Sequence, residues 1–293
     1  EALYHSRLQH LKSLGLVPKD SAPIDDARFT PRWSELSAGQ RAIESRKMEV
    51  YAAMVSDVDI YVGKVIDYLK RTGQFDNTFI IFLSDNGAEP GRRDLQEPIR
   101  DHIGKEYDHR LGNIGQRPSY LMYGPNWASA SATPFNRHKG TAYEGGVHVP
   151  AFVHYPSKVR PGTRSPVVGS VMDLLPTFLE LAGTKHPGSP YRGRDVQMPQ
   201  GVSLLPVLEG KSATVRPVDA FHGVELFGAR AMRQGDSKIT WDQAAPPAQR
   251  RWRLFDLATD LAEQHDLSAA QPAEFERLKK LWDRYEAENG VVY

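Results

Sequence analysis

No cysteine occurs among the 293 residues. That excludes a disulfide framework, a thiolate zinc site and a cysteine nucleophile within this stretch of chain. No apolar run approaches the roughly 20 residues of a bilayer-spanning helix, so a membrane span is excluded too. Charge of one sign is not in excess either: 37 Lys and Arg stand against 36 Asp and Glu. Near-neutrality argues against nucleic acid as the principal partner, because phosphate neutralisation needs a basic face. Repeats and low-complexity tracts are also lacking. What is present is 40% hydrophobic residues with 24 Gly and 21 Pro, enough apolar material for a core in one large domain or two. The chain opens on Glu1-Ala2-Leu3-Tyr4, without Met or signal peptide, and reads as a continuation of something longer.

Hydrophobic spacing then sets the organisation. Leu8, Leu11, Leu14 and Leu16 keep a loose helical period ending near Gly15, after which Pro18, Pro23 and Pro31 hold the chain extended or turning. Met48, Tyr51, Val55, Val58, Val62, Val65 and Leu69 recur at threes and fours, which predicts a long helix with one apolar stripe, stopped at Gly73. The apolar run Phe79–Leu83 predicts a strand buried on both faces. A helix leading into such a strand indicates an α/β layer architecture, in which ligands collect beyond the carboxyl ends of strands. Residues 88–137 carry no sustained period and read as a long surface loop. A second strand is expected over 147–155, with Pro150 at its start or at a bulge. A helix N-capped by Asp173 and closed by Gly183 follows. Beyond residue 210, strand candidates at Phe221–Phe227, Arg230–Arg233, Lys238–Trp241 and Trp252–Phe255 precede a helix from Pro272 to Glu288. The division expected is residues 1–209 in an α/β domain and 210–293 in a small α+β subdomain with a short antiparallel sheet.

Two places carry chemistry. Asp85 and Asn86, at the end of the first strand, are hard oxygen ligands of the kind Ca²⁺ or Mg²⁺ prefers, although Asp-Asn-Gly is also good turn sequence. Lys139 lies in the Gly-rich stretch Arg137-His138-Lys139-Gly140-Thr141-Ala142-Tyr143-Glu144-Gly145-Gly146, where it either presents an ammonium to an anionic group or is a solvated charge.

Taken in order, Ser84-Asp85-Asn86-Gly87, then Lys139-Gly140-Thr141-x-Tyr143-Glu144-Gly145-Gly146-Val147-x-Val149-Pro150, then Val171–Gly183, then Leu254-Phe255-Asp256-Leu257 with Asp260, Glu263 and Asp266 closely resemble the sulfatase family. Tyr123-Gly124-Pro125-x-Trp127 is most similar to its bacterial arylsulfatase branch. The resemblance implies part of an alkaline-phosphatase-like sheet-and-helix domain and hydrolysis of a small-molecule sulfate ester. It also implies Ca²⁺ held partly by Asp85 and Asn86, and Lys139 on a sulfate oxygen as a substrate-binding and catalytic group.

The family's nucleophile is a formylglycine made from a Cys/Ser-x-Pro-x-Arg motif, and no such motif occurs here. Formylglycine is therefore expected upstream of this chain, on a missing N-terminal part of the same protein. The chain alone is expected to be inactive, and its compartment to be bacterial-type cytoplasm or periplasm. A phosphate or phosphonate ester hydrolase of the same superfamily and a non-catalytic scaffold are the alternatives. Four further features have a bland and a functional reading. Asp260, Glu263 and Asp266 read as a solvated capping turn or a metal site, and His138 as a surface histidine or a proton donor. His222 reads as structural or as facing the cleft, and Tyr123 with Trp127 as satellite packing or an aromatic pocket wall.

Overall fold

The computed structural model describes residues 1–91 and 97–292. Along the chain come helix α1 (Ala2–Ser13), the long helix α2 (Ala38–Arg71), strand β1 (Ile80–Leu83), helices α3 (Ile99–Glu106) and α4 (Gly124–Ser131), and the short helix α5 (Glu144–Val147). Strand β2 (Ala151–His154) and helices α6 (Leu174–Leu181) and α7 (Leu205–Leu208) follow. Strands β3 (Phe221–Leu226), β4 (Ala229–Gln234), β5 (Ser237–Trp241) and β6 (Trp252–Asp256) then lead to helix α8 (Pro272–Asn289). The chain is divided into two units. One comprises Glu1–Gly63, Asn86–Val149 and Phe221–Tyr293, the other Lys64–Asp85 and Pro150–Ala220.

In the first unit, β3-β4-β5-β6 form an antiparallel meander in sequence order, as their spacing predicts. Met232 pairs with Ile239, and Ile239 with Leu254. Leu278 and Trp282, four residues apart and so on one helix face, pack onto them to make a buried cluster. Gly223 is required on β3 because a Cβ there would lie 2.5 Å from the Tyr285 ring. A second cluster joins Tyr4 and Leu8 of α1 to Ile24, Phe29, Ala130 and Ala262. The Tyr4 hydroxyl donates to the Pro134 carbonyl at 2.8 Å and accepts from the Ile24 N–H at 3.2 Å. Helix α1 stops at Ser13, before the end of the loose helical period, and Leu14 and Leu16 beyond it are exposed.

The expected loop over 88–137 is more structured than its sequence suggests. It contains α3 and α4, and Ile103, Ile114, Ala128 and Ala130 are buried. Helices of eight residues are too short to show a clear period.

The second unit pairs β1 with β2 antiparallel, Ile80 against His154 and Leu83 against Ala151. The expectation that β1 is buried on both faces is overturned. Phe82 and its partner Phe152 stack at 5.2 Å yet remain 37% and 56% exposed. An unalternating apolar run needs cover on two sides, and the described residues cover this pair only in part. Strand β2 is shorter than expected because Glu144–Val147 is helical and Pro150 precedes the first paired residue. Asp173 takes the N-cap position of α6 without a side-chain cap bond. Its buried carboxylate instead pairs with Arg216 and accepts the Val202 N–H at 2.9 Å.

Helix α2 runs through Gly63 from the one unit into the other. It begins earlier than the stripe indicates, and Lys47 is its one buried residue. Val55, Val58 and Val65 of the stripe are exposed, Val58 by 48%, while Met48, Tyr51, Val62 and Leu69 are half-buried, so the described residues cover the stripe only in part.

Candidate functional site

Two backbone segments of the first unit lie against each other. The Gly87 N–H donates to the Gly146 carbonyl at 3.0 Å, and the Lys139 N–H to the Ala88 carbonyl at 3.0 Å. The Gly145 N–H closes the loop on the Asn136 carbonyl at 3.0 Å. Glycine is needed at this approach. A Cβ on Gly87 would sit 1.9 Å from the Gly145 oxygen, and one on Gly145 would sit 2.3 Å from the Asn136 and Arg137 oxygens. Residue 139 is thereby fixed beside the segment that follows β1. The Lys139 Nζ lies 2.9 Å from the Glu89 carboxylate, with 42% of the lysine side chain exposed.

Of the two expected metal ligands, Asp85 ends one unit and Asn86 opens a segment of the other. The Asn86 Nδ2 donates to the Gly87 carbonyl at 3.0 Å. Carboxylate and amide oxygens suit Ca²⁺, which takes roughly six to eight such donors. Among the described residues no group of three or more His, Cys, Asp or Glu could hold a metal ion. The pair is of the donor type that Ca²⁺ prefers.

Behind Lys139 the segment is anchored by charges that the sequence did not reveal. Glu144, at the start of α5, is buried. The Lys238 Nζ, on β5, lies 2.7 Å from its Oε1 and 3.1 Å from Glu263 Oε1. The Glu144 N–H donates to Glu263 Oε2 at 2.6 Å, and the Thr240 hydroxyl to Glu263 Oε1 at 3.1 Å. The His148 Nδ1 stands 3.0 Å from Glu144 Oε2. Burial alone would raise the Glu144 carboxyl, but Lys238 and His148 outweigh it and hold the group well below the usual range. Glu263 goes the other way, raised by burial that Lys238 offsets only in part. The sequence signal was Lys238 and Thr240, two apart on one face of a strand, opposite nothing that local spacing could identify.

That anchor corrects the reading of Glu263 as part of a solvated turn. Its neighbours do cap the turn: Asp260 Oδ2 accepts the Gln264 and His265 N–H groups at 2.8 Å each, and Asp266 accepts those of Ser268 and Leu254. The three make no metal group. The His138 Nδ1 lies 3.2 Å from the Lys139 carbonyl, and burial lowers the imidazole below its ordinary value, which disfavours a stored proton. His222 is half-buried on β3, paired in register with Arg233. Tyr123 stacks on Tyr51 at 4.8 Å, and burial pushes its phenol up to about 12. The Trp127 Nε1 donates to Glu44 at 3.1 Å, and its ring meets Trp33 edge-on. Both aromatics thus pack onto or near α2.

Residues 17–184 match the Sulfatase family model. The chain is 40% identical, over all its length, to 53% of an uncharacterized sulfatase of Schizosaccharomyces pombe. It is 32% identical over 71% of its length to 45% of an arylsulfatase of Klebsiella aerogenes. It therefore spans about half the length of these relatives. Among solved structures, the PsFucS1 sulfatase from Pseudoalteromonas sp. matches 79% of this chain and 41% of its own, with a TM-score of 0.53 and 21% identity. That likeness is one of fold, mixed α/β of the alkaline-phosphatase-like kind with a small antiparallel sheet at the C-terminal end.

Proposed function

The chain belongs to the sulfatase family, and from that premise we propose that the full-length protein hydrolyses sulfate monoesters, aryl sulfates among them. The observation that supports this reading is the Lys139 N–H bonded to the carbonyl of Ala88, two residues after Asn86 in the chain, at 3.0 Å. Lys139 binds a sulfate oxygen by exchanging its Glu89 partner for the ester, and its charge steadies the sulfate as the S–O bond lengthens. Asp85 and Asn86 would hold part of a Ca²⁺ shell, and the ion would supply Lewis-acid charge toward the sulfate. The nucleophile, a formylglycine, belongs to the part of the protein outside this chain, so the chain alone turns over sulfate esters negligibly. Residues 1–209 form the C-terminal portion of the catalytic domain in this reading, and 210–293 its α+β subdomain.

The test is hydrolysis of 4-nitrophenyl sulfate and 4-nitrophenyl phosphate by the full-length protein, with and without a Ca²⁺ chelator. Preference for the sulfate, lost on chelation, is the expected result. Preference for the phosphate, or indifference to the chelator, would overturn the reading.

A further inference from the structure

Glu89 is held at both of its carboxylate oxygens. Its Oε1 accepts the Gly91 N–H at 2.8 Å, and its Oε2 lies 2.9 Å from the Lys139 Nζ. Gly91 leaves room for this arrangement: a Cβ there would stand 2.7 Å from that same Oε1 and 2.8 Å from the Met122 methyl, so a larger residue would push the carboxylate aside. The backbone of the partner lysine is bound one residue before Glu89, with the Lys139 N–H on the Ala88 carbonyl at 3.0 Å. Carboxylate and ammonium thus belong to two segments of the first unit that a main-chain bond ties together. Their side chains are 44% and 42% exposed, so the pair is open to an anion arriving from solvent.

An ester that takes the Lys139 ammonium does not take the Gly91 bond. The Glu89 carboxylate therefore stays close to the ammonium that the anion now uses. Its repulsion scales with the charge the ligand carries. A sulfate monoester carries one negative charge. A phosphate monoester, whose second ionisation falls at about 6, carries almost two above neutral pH. The penalty on the phosphate is about double that on the sulfate, although both groups are tetrahedral and offer oxygens to the same donors. At a separation of about 6 Å, even the dielectric of water leaves a factor of roughly three for the second charge.

We infer that Glu89 is a specificity-determining residue of this site, its fixed carboxylate favouring singly charged sulfate esters over doubly charged phosphate esters. This role rests on Lys139 as the sulfate-binding group, and one experiment separates the two. Benzenesulfonate, a monoanion, and phenylphosphonate, a dianion at roughly pH 8.5, are titrated by calorimetry into the full-length protein at low, fixed ionic strength. Both lack the ester bond, so neither turns over. Glu89→Gln keeps an acceptor for the Gly91 N–H and loses the charge. It is expected to tighten phenylphosphonate about threefold or more beyond any change in benzenesulfonate. Glu89→Asp, which keeps the charge, is expected to retain most of the parent ratio. Lys139→Ala is expected to weaken both anions roughly tenfold or more. An unchanged ratio in Glu89→Gln, with both anions weakened by Lys139→Ala, overturns the role of Glu89 alone. Anion binding that Lys139→Ala leaves intact, or no binding of either anion, overturns the reading of Lys139 and this role with it.

Discussion

Between Glu144 and Glu263, buried charges meet one another inside the chain; along α2 and the β1–β2 pair, large apolar side chains face water. The first arrangement is costly to assemble and self-contained, because two carboxylates and a lysine leave solvent only if each finds a partner. Lys238 lies 2.7 and 3.1 Å from those partners. The second leaves stabilisation unused, roughly 1.5–3 kcal/mol for each large side chain that a cover would bury. The anchored segment carries Lys139 and finds its partners within this chain, whereas the described residues leave those apolar side chains partly uncovered. The chain spans 53% and 45% of the two relatives it matches.

The contrast can be broken most forcefully at Lys238. Lys238→Ala takes the buried cation from two carboxylates, leaving Glu144 to His148 and Arg233 and Glu263 to the Glu144 N–H and Thr240, and should cost about 3–5 kcal/mol, read as a drop in the urea midpoint. A loss under about 1 kcal/mol would mean that the cluster is not the anchor. Next comes acid. Glu144 has its folded pKa depressed. Its contribution is present above the unfolded carboxyl pKa of about 4.3 and is lost as pH falls from there through the folded value. Glu263 is raised, so its contribution is full below the unfolded pKa and is lost as pH rises through its folded value. Glu144→Gln isolates the first of these. It should cost roughly 1–3 kcal/mol at pH 7, and the gap from the parent chain should narrow as both are acidified below about pH 4. A gap that widens with acid would reverse the assignment.

Smaller effects sharpen the other side. Lys139→Ala should change stability by no more than about 1 kcal/mol, because its pair with Glu89 is exposed on both sides. Val58→Ser on the uncovered face of α2 should alter the stability of this chain by about 0.5 kcal/mol or less. A loss of several kcal/mol there would show that the face is already covered.

What the sequence made legible follows from range. The meander and α8 could be read because each strand and turn is local and α8 keeps a helical period. Asn86 and Lys139 could be picked out as candidates because their segments are contiguous motifs. The pairing of Lys238 with Glu144 could not, since 94 residues separate them and neither period nor turn chemistry links them. Glu263 looked like one more acidic turn residue for the same reason. Burial of β1 was over-read because an apolar run reports what a strand needs covered, and not which part of the protein covers it.

The central claim, that Lys139 belongs to a sulfate-ester site, is tested most directly by the kcat of Lys139→Ala in the full-length protein on 4-nitrophenyl sulfate. A fall of roughly 10²-fold or more, with the unfolding midpoint little changed, is the predicted result. An unchanged kcat in a folded variant would contradict it.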